Sequence, residues 1–117
     1  MVTIITRVVQ TIFPDKWDEL NALDAKMSEL ETKIGFPPKH RYRVMADKGL
    51  TNTLIIEREW PKGMGYLKKV TQRWNEDKEI QALMAQVPNF VKDQTGEGFA
   101  IFGRKKADLP LGSGRIN

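Results

Sequence analysis

The residues best suited to chemistry cluster on one hairpin. Arg41-Tyr42-Arg43 is followed on the next extended stretch by Glu57 and Trp60, and Trp74 comes after that. A guanidinium offers forked donors that match an anionic or carbonyl group. Tyrosine and tryptophan add shape and a polar tip to an apolar wall. Arg41, Tyr42, Arg43, Glu57, Trp60 and Trp74 are therefore the candidate ligand-binding residues, and no catalytic residue is assigned. A plainer role competes for the charges. If the hairpin turn centres on Leu50, Arg43 lies opposite Glu57 and Arg41 opposite Glu59, with Arg7 on the same face away from the helices. The expected role of such a set is a salt-bridge ladder that fixes strand register. In the competing role, Arg41 or Arg43 stays partly available to a ligand. Trp60 and Trp74 are expected first as core. His40 stands alone, which fits a surface or hydrogen-bonded histidine better than a metal ligand. The sequence contains no cysteine, phosphate loop or dinucleotide fingerprint. No metal site and no cofactor are expected.

These residues need a scaffold, and its centre is the stretch from Thr51 to Pro61. Leu54, Ile56 and Trp60 alternate to one side together with Arg58; Thr53, Ile55, Glu57 and Glu59 go to the other. A strand with apolar residues on both faces is central and covered twice. Val2 to Phe13 reads the same way: Val2, Ile4, Thr6 and Val8 face one side, Ile5, Arg7, Val9 and Phe13 the other. From Pro14, the apolar positions Trp17, Leu20, Leu23, Met27, Leu30 and Ile34 recur at helical spacing. Asp24 and Ser28 fall on the opposite, exposed face, and Gly35 ends the helix. Lys39 to Ala46 is a strand whose turn chemistry, Asp47-Lys48-Gly49, leads back into the central strand. After Pro61, Met64, Leu67, Val70 and Trp74 mark a second helix. Asp77 caps a shorter one running to Gln86, with Ile80, Leu83, Met84 and Val87 buried. Residues 89–96 read as a connection anchored by Phe90 and Val91, and Gly98 to Arg104 as a short last strand at an edge.

At 117 residues, 40% hydrophobic and 29% charged, the chain has the composition of one globular domain. The domain is expected over residues 1–106, with a tail over 107–117. The net charge of +4 is mild and partly carried by Arg104, Lys105, Lys106 and Arg115 near the end. No signal peptide or membrane span is read, and the absence of cysteine suits the cytoplasm.

The element order, strand, helix, strand, strand, helix, strand, with right-handed crossovers gives an α+β, ferredoxin-like βαββαβ sheet with its helices on one face. Ile5, Val9, Phe13 and Ile55 then remain for the other face, and a patch of that kind calls for a partner. A homodimer pairing its two sheets is the economical arrangement.

Tyr42-Arg43-Val44, the run from Thr53 to Trp60 leading into a helix, and Glu79-Ile80-Gln81-Ala82-Leu83 resemble the dimeric α/β-barrel superfamily. Within it the chain is similar to the small NIPSNAP-like and antibiotic-monooxygenase-like proteins, over about residues 2–104. The resemblance implies paired sheets, with small-molecule sites beside the sheet or between sheet and helices. Haem-cleaving members use a first-strand asparagine and a histidine on the second helical region; this chain has neither. The alternative function is a cofactor-independent, monooxygenase-like enzyme acting on a small aromatic or quinol-like substrate, with Tyr42, Arg43, Trp60 and Trp74 as its candidates. An RNA-recognition motif is imitated by residues 96–102, but on the wrong strand and with Glu97 where a stacking aromatic belongs. No nucleic acid is expected. The leading expectation is a homodimer that binds a small, largely apolar molecule with a polar or anionic group.

Overall fold

The computed structural model describes residues 2–101. β1 (Ile4–Ile12), α1 (Trp17–Ile34), β2 (Lys39–Ala46), β3 (Gly49–Trp60), α2 (Gly63–Glu76), α3 (Lys78–Met84) and β4 (Val91–Ala100) follow in order, with a 3-10 turn over Val87–Asn89. The strands form one antiparallel sheet ordered β2-β3-β1-β4. This is the ferredoxin-like α+β arrangement, with the two-sided strands β1 and β3 in the middle.

Strand alternation decides what the helices cover. Ile4, Gln10 and Ile12 of β1 and Leu54 and Trp60 of β3 are buried on the helix side. Leu20, Leu23 and Met27 of α1, Val70 of α2 and Ile80 of α3 close over them. The stripe on α1 thus packs as its spacing predicts. The helix starts at Trp17 rather than Pro14, because residues 14 and 15 form a turn. It ends where Gly35 takes φ 108°, a left-handed conformation glycine adopts without a Cβ penalty. The Asp77 side chain accepts from the Ile80 amide and caps α3, as its type and position suggest.

Four expectations are corrected. β4 begins at Val91, seven residues before the expected Gly98. Met64 is 48% exposed and lies outside the buried stripe of α2. Asp24 is half-buried in ion pairs with Lys39 and Arg41 instead of solvated. The hairpin register also differs: Ala46 pairs with Gly49 across a turn at residues 47 and 48, and Arg43 pairs with Leu54, not Glu57. Arg41 pairs with Ile56 in place of Glu59. An odd shift of register turns each side chain to the other face. Arg41 and Arg43 therefore face the helices while Glu57 faces away, and the four-residue ladder does not exist. On the open face, Arg7 Nε meets Glu57 Oε2 across the strands at 2.7 Å. The expected tail over 107–117, and the basic residues at 104–106 and 115, lie outside the described residues. No helix among the described residues is long and apolar enough to cross a membrane.

Candidate functional site

The register lays out a grid on the helix side of the sheet. Thr6, Arg58 and Lys39 form one row across β1, β3 and β2; Val8, Ile56 and Arg41 form the next; Gln10, Leu54 and Arg43 form a third. Above the first two rows and reaching Gln10 and Leu54 of the third, between sheet and helices, lies a cavity of about 320 Å³. Its size falls within the range of small-molecule sites. Leu23, Met27, Leu54, Ile56, Trp60 and Trp74 give it an apolar wall, and Lys39, Arg41, Arg58, Asp24 and Glu31 a charged one.

The charged wall is built around a carboxylate inside the protein. Glu31 lies at the i+4 position from Met27, so it falls within the buried stripe of α1, and it is only 6% exposed. Its Oε1 accepts from Arg58 Nη2 at 2.7 Å and from Lys39 Nζ at 3.3 Å; its Oε2 accepts from Trp74 Nε1 at 3.1 Å. Lys39 also donates to Asp24 Oδ1. Arg41 donates from Nη2 to Asn21 Oδ1 at 2.9 Å, and its Nε lies 3.5 Å from Asp24 Oδ2, within ion-pair reach but misaligned for a hydrogen bond. Arg58 stacks on Phe36 at 4.6 Å and donates to the Pro37 carbonyl at 3.3 Å. Burial pulls the Arg58 pKa below its ordinary value, and the neighbouring Glu31 carboxylate opposes that shift. Lys39, Arg41 and Arg58 face Asp24 and Glu31, so this paired group carries one more cation than anion. Partly buried charge is screened far less than surface charge, which makes the surplus a local attraction for an anion.

The six residues singled out in the sequence divide into three groups. Arg41, Trp60 and Trp74 line the cavity. Trp60 is buried, donates to Thr6 Oγ1 at 3.0 Å and meets the edge of Phe36, so it is core and wall together. Arg43 shares the helix-facing side but lies at the hairpin end, stacked 4.0 Å over Trp17 and donating to the Thr51 carbonyl at 2.7 Å. Tyr42, 50% exposed, and Glu57 lie on the opposite face of the sheet. His40 is exposed on that face, paired in register with Glu57. Among the described residues no group of histidines and carboxylates is arranged to hold a metal ion. Sequence reasoning missed Asp24, Glu31, Lys39 and Gln10. Arg58 was the available signal: a lone cation among Leu54, Ile56 and Trp60 requires a buried counter-charge.

No protein-family model matches the chain, and no curated protein matches it in sequence. Solved structures do match its fold. A NIPSNAP-like domain protein from Burkholderia xenovorans superposes with a TM-score of 0.66 at 9% identity, over 97% of this chain and 90% of that one. A NIPSNAP family protein of unknown function from Agrobacterium tumefaciens gives 0.66 at 6% identity, over 85% and 87%. A conserved protein from Methanosarcina mazei gives 0.64 at 17% identity, over 85% and 92%. The chain is thus similar in fold to NIPSNAP family proteins, as the resemblance in its sequence implies.

Proposed function

We propose that this protein is a homodimeric small-molecule-binding protein whose ligand is largely apolar and carries an anionic group. The cavity between sheet and helices carries the reading. Its apolar wall suits a hydrocarbon or aromatic body, and the excess of cations at Lys39, Arg41 and Arg58 suits a carboxylate or similar head. Arg41 is the residue in best position to receive that head. Its side chain is more open than those of Lys39 and Arg58. The homodimer is supported by the open face of the sheet, where Ile5, Val9 and Ile55 are only half-buried and Tyr42 and Phe99 are 50% and 41% exposed. A second copy of the chain, facing the first, would cover that surface.

Calorimetric titration with 3-phenylpropionate and with the neutral 3-phenylpropan-1-ol tests the ligand class. The acid is expected to bind at least ~10-fold more tightly, the scale of a hydrogen bond to a charged partner. Arg41→Met should remove most of that difference. Equal affinity for acid and alcohol in the wild type would overturn the proposal.

A further inference from the structure

We infer that the ligand of this cavity is an elongated carboxylate whose apolar tail leaves the cavity across β4, over Gly96 and Gly98. This rests on the binding function proposed above and narrows its ligand class. The two glycines lie in the rows that hold the cations. Gly98 pairs with Thr6, in line with Arg58 and Lys39; Gly96 pairs with Val8, in line with Ile56 and Arg41. Directly paired residues share a face of the sheet, so both glycines face the helix side. Thr6 and Val8 line the cavity and are half-buried. The floor of the cavity therefore continues, without a side chain, onto the exposed strand β4.

Glycine weakens a strand, and its usual reasons there are a bulge, a special backbone conformation or the close approach of another group. The first two are absent at these positions. The pairing of β1 with β4 is regular from Ile4 to Thr11, and its shift lies beyond, between Thr11 and Ile12. Neither glycine takes a positive φ. Internal packing does not require them either. A Cβ at either position would meet no atom within 4 Å among the described residues. The second copy proposed above faces the other side of the sheet, at Ile55 and Phe99, and so does not account for them. What remains is a group from outside the chain that approaches the β4 backbone, and the cavity ends beside that backbone. The spacing sets the length of such a ligand. Three strand intervals of ~4.8 Å separate Arg41 from Gly96, ~14 Å between their Cα positions. A carboxylate held at Arg41 must cross Ile56 and Val8 to reach Gly96, so only a long chain arrives there.

The test is calorimetry on the full chain with hexanoate and decanoate. Decanoate is expected to bind the wild type at least ~10-fold more tightly, since each methylene taken fully out of water is worth ~4-fold. Gly96→Leu and Gly98→Leu put a side chain in the path of the tail. Each should leave hexanoate binding unchanged and remove most of the gain for decanoate. NMR of the wild type with decanoate bound should show contacts from the terminal methyl to the Hα protons of Gly96 and Gly98, which keeps the inference testable if a variant does not fold. Three results would overturn it and leave the anion site standing: decanoate no tighter than hexanoate, the same gain in both variants, or glycine contacts with residues 102–117 in place of the ligand. Binding of neither these acids nor 3-phenylpropionate at millimolar concentration would overturn both proposals.

Discussion

Glu31 occupies a position where the stripe of α1 calls for leucine, and three groups converge on its carboxylate: Arg58, Lys39 and Trp74. Taking one partner out of a buried ion pair leaves the others without compensation and commonly costs about 3–5 kcal/mol. Glu31→Gln keeps the shape and a carbonyl acceptor but removes the charge. It is expected to lower stability by about 2–4 kcal/mol, read from denaturant midpoints. A midpoint within experimental error of the wild type would show that solvent, not Glu31, neutralises Arg58. At this scale the sequence was partly legible. Arg58 could be seen among Leu54, Ile56 and Trp60, yet the periodicity of α1 counts only apolar residues and so passed over the carboxylate that answers it. Arg41 was singled out for a ligand role, but on the wrong face. The error lay in the turn. Asp47-Lys48-Gly49 carried the right chemistry, and Gly49 takes φ 117°, but centring the hairpin on Leu50 moved the register by an odd number of residues. An irregularity between Arg43 and Met45, where Thr51 Oγ1 donates to the Val44 carbonyl, shifts the pairing again and has no signature in residue type.

Elements with one covered face were legible, and the one with little to cover was not. α1, β2 and β3 emerge from spacing, turn residues and caps. In β4 only Val91 is buried; residues 92–100 are exposed, and the helix-facing positions opposite Val8 and Thr6 are Gly96 and Gly98. An edge strand whose inward positions are Gln94, Gly96 and Gly98 cannot show a hydrophobic alternation, so its first half read as a polar connection. The second helical region carries a sharper signal, because Asp77 separates α2 from α3 and satisfies the Ile80 amide at 2.9 Å. Ile80 is fully buried between Leu23 and Met27, so fraying of α3 would loosen the roof of the cavity. Asp77→Ala should cost about 1 kcal/mol of stability. Hydrogen exchange should locate the loss, with faster exchange at Ile80 and Gln81 than elsewhere. Uniform acceleration across all helices would mean that the cap acts on the whole fold and not on α3.

Among the described residues the molecule is a sheet with one face roofed by helices and one face open. The roofed face holds the cavity; the open face carries Ile5, Val9, Ile55, Tyr42 and Phe99 around the Arg7–Glu57 pair. Apolar residues on both sides of β1 and β3 were visible in sequence, because alternation alone assigns them, whereas the cavity depends on how α1, α2 and α3 meet above the sheet and leaves no mark in spacing. Sedimentation is expected to give a dimer of the 13.4 kDa chain at micromolar concentration. Ile55→Glu should shift it to monomer with the ligand site intact, since Ile55 lies on the face away from the cavity. A dimer that survives this change would place the interface elsewhere. The cavity itself is tested most directly by NMR of the protein titrated with 3-phenylpropionate, observing arginine Nε–H signals and methyl groups. The account predicts a shift of the Arg41 Nε–H and ring-to-methyl contacts with Val8, Ile56 and Met27. Contacts with Ile5, Val9 and Ile55 instead, and an unmoved Arg41 signal, would contradict it.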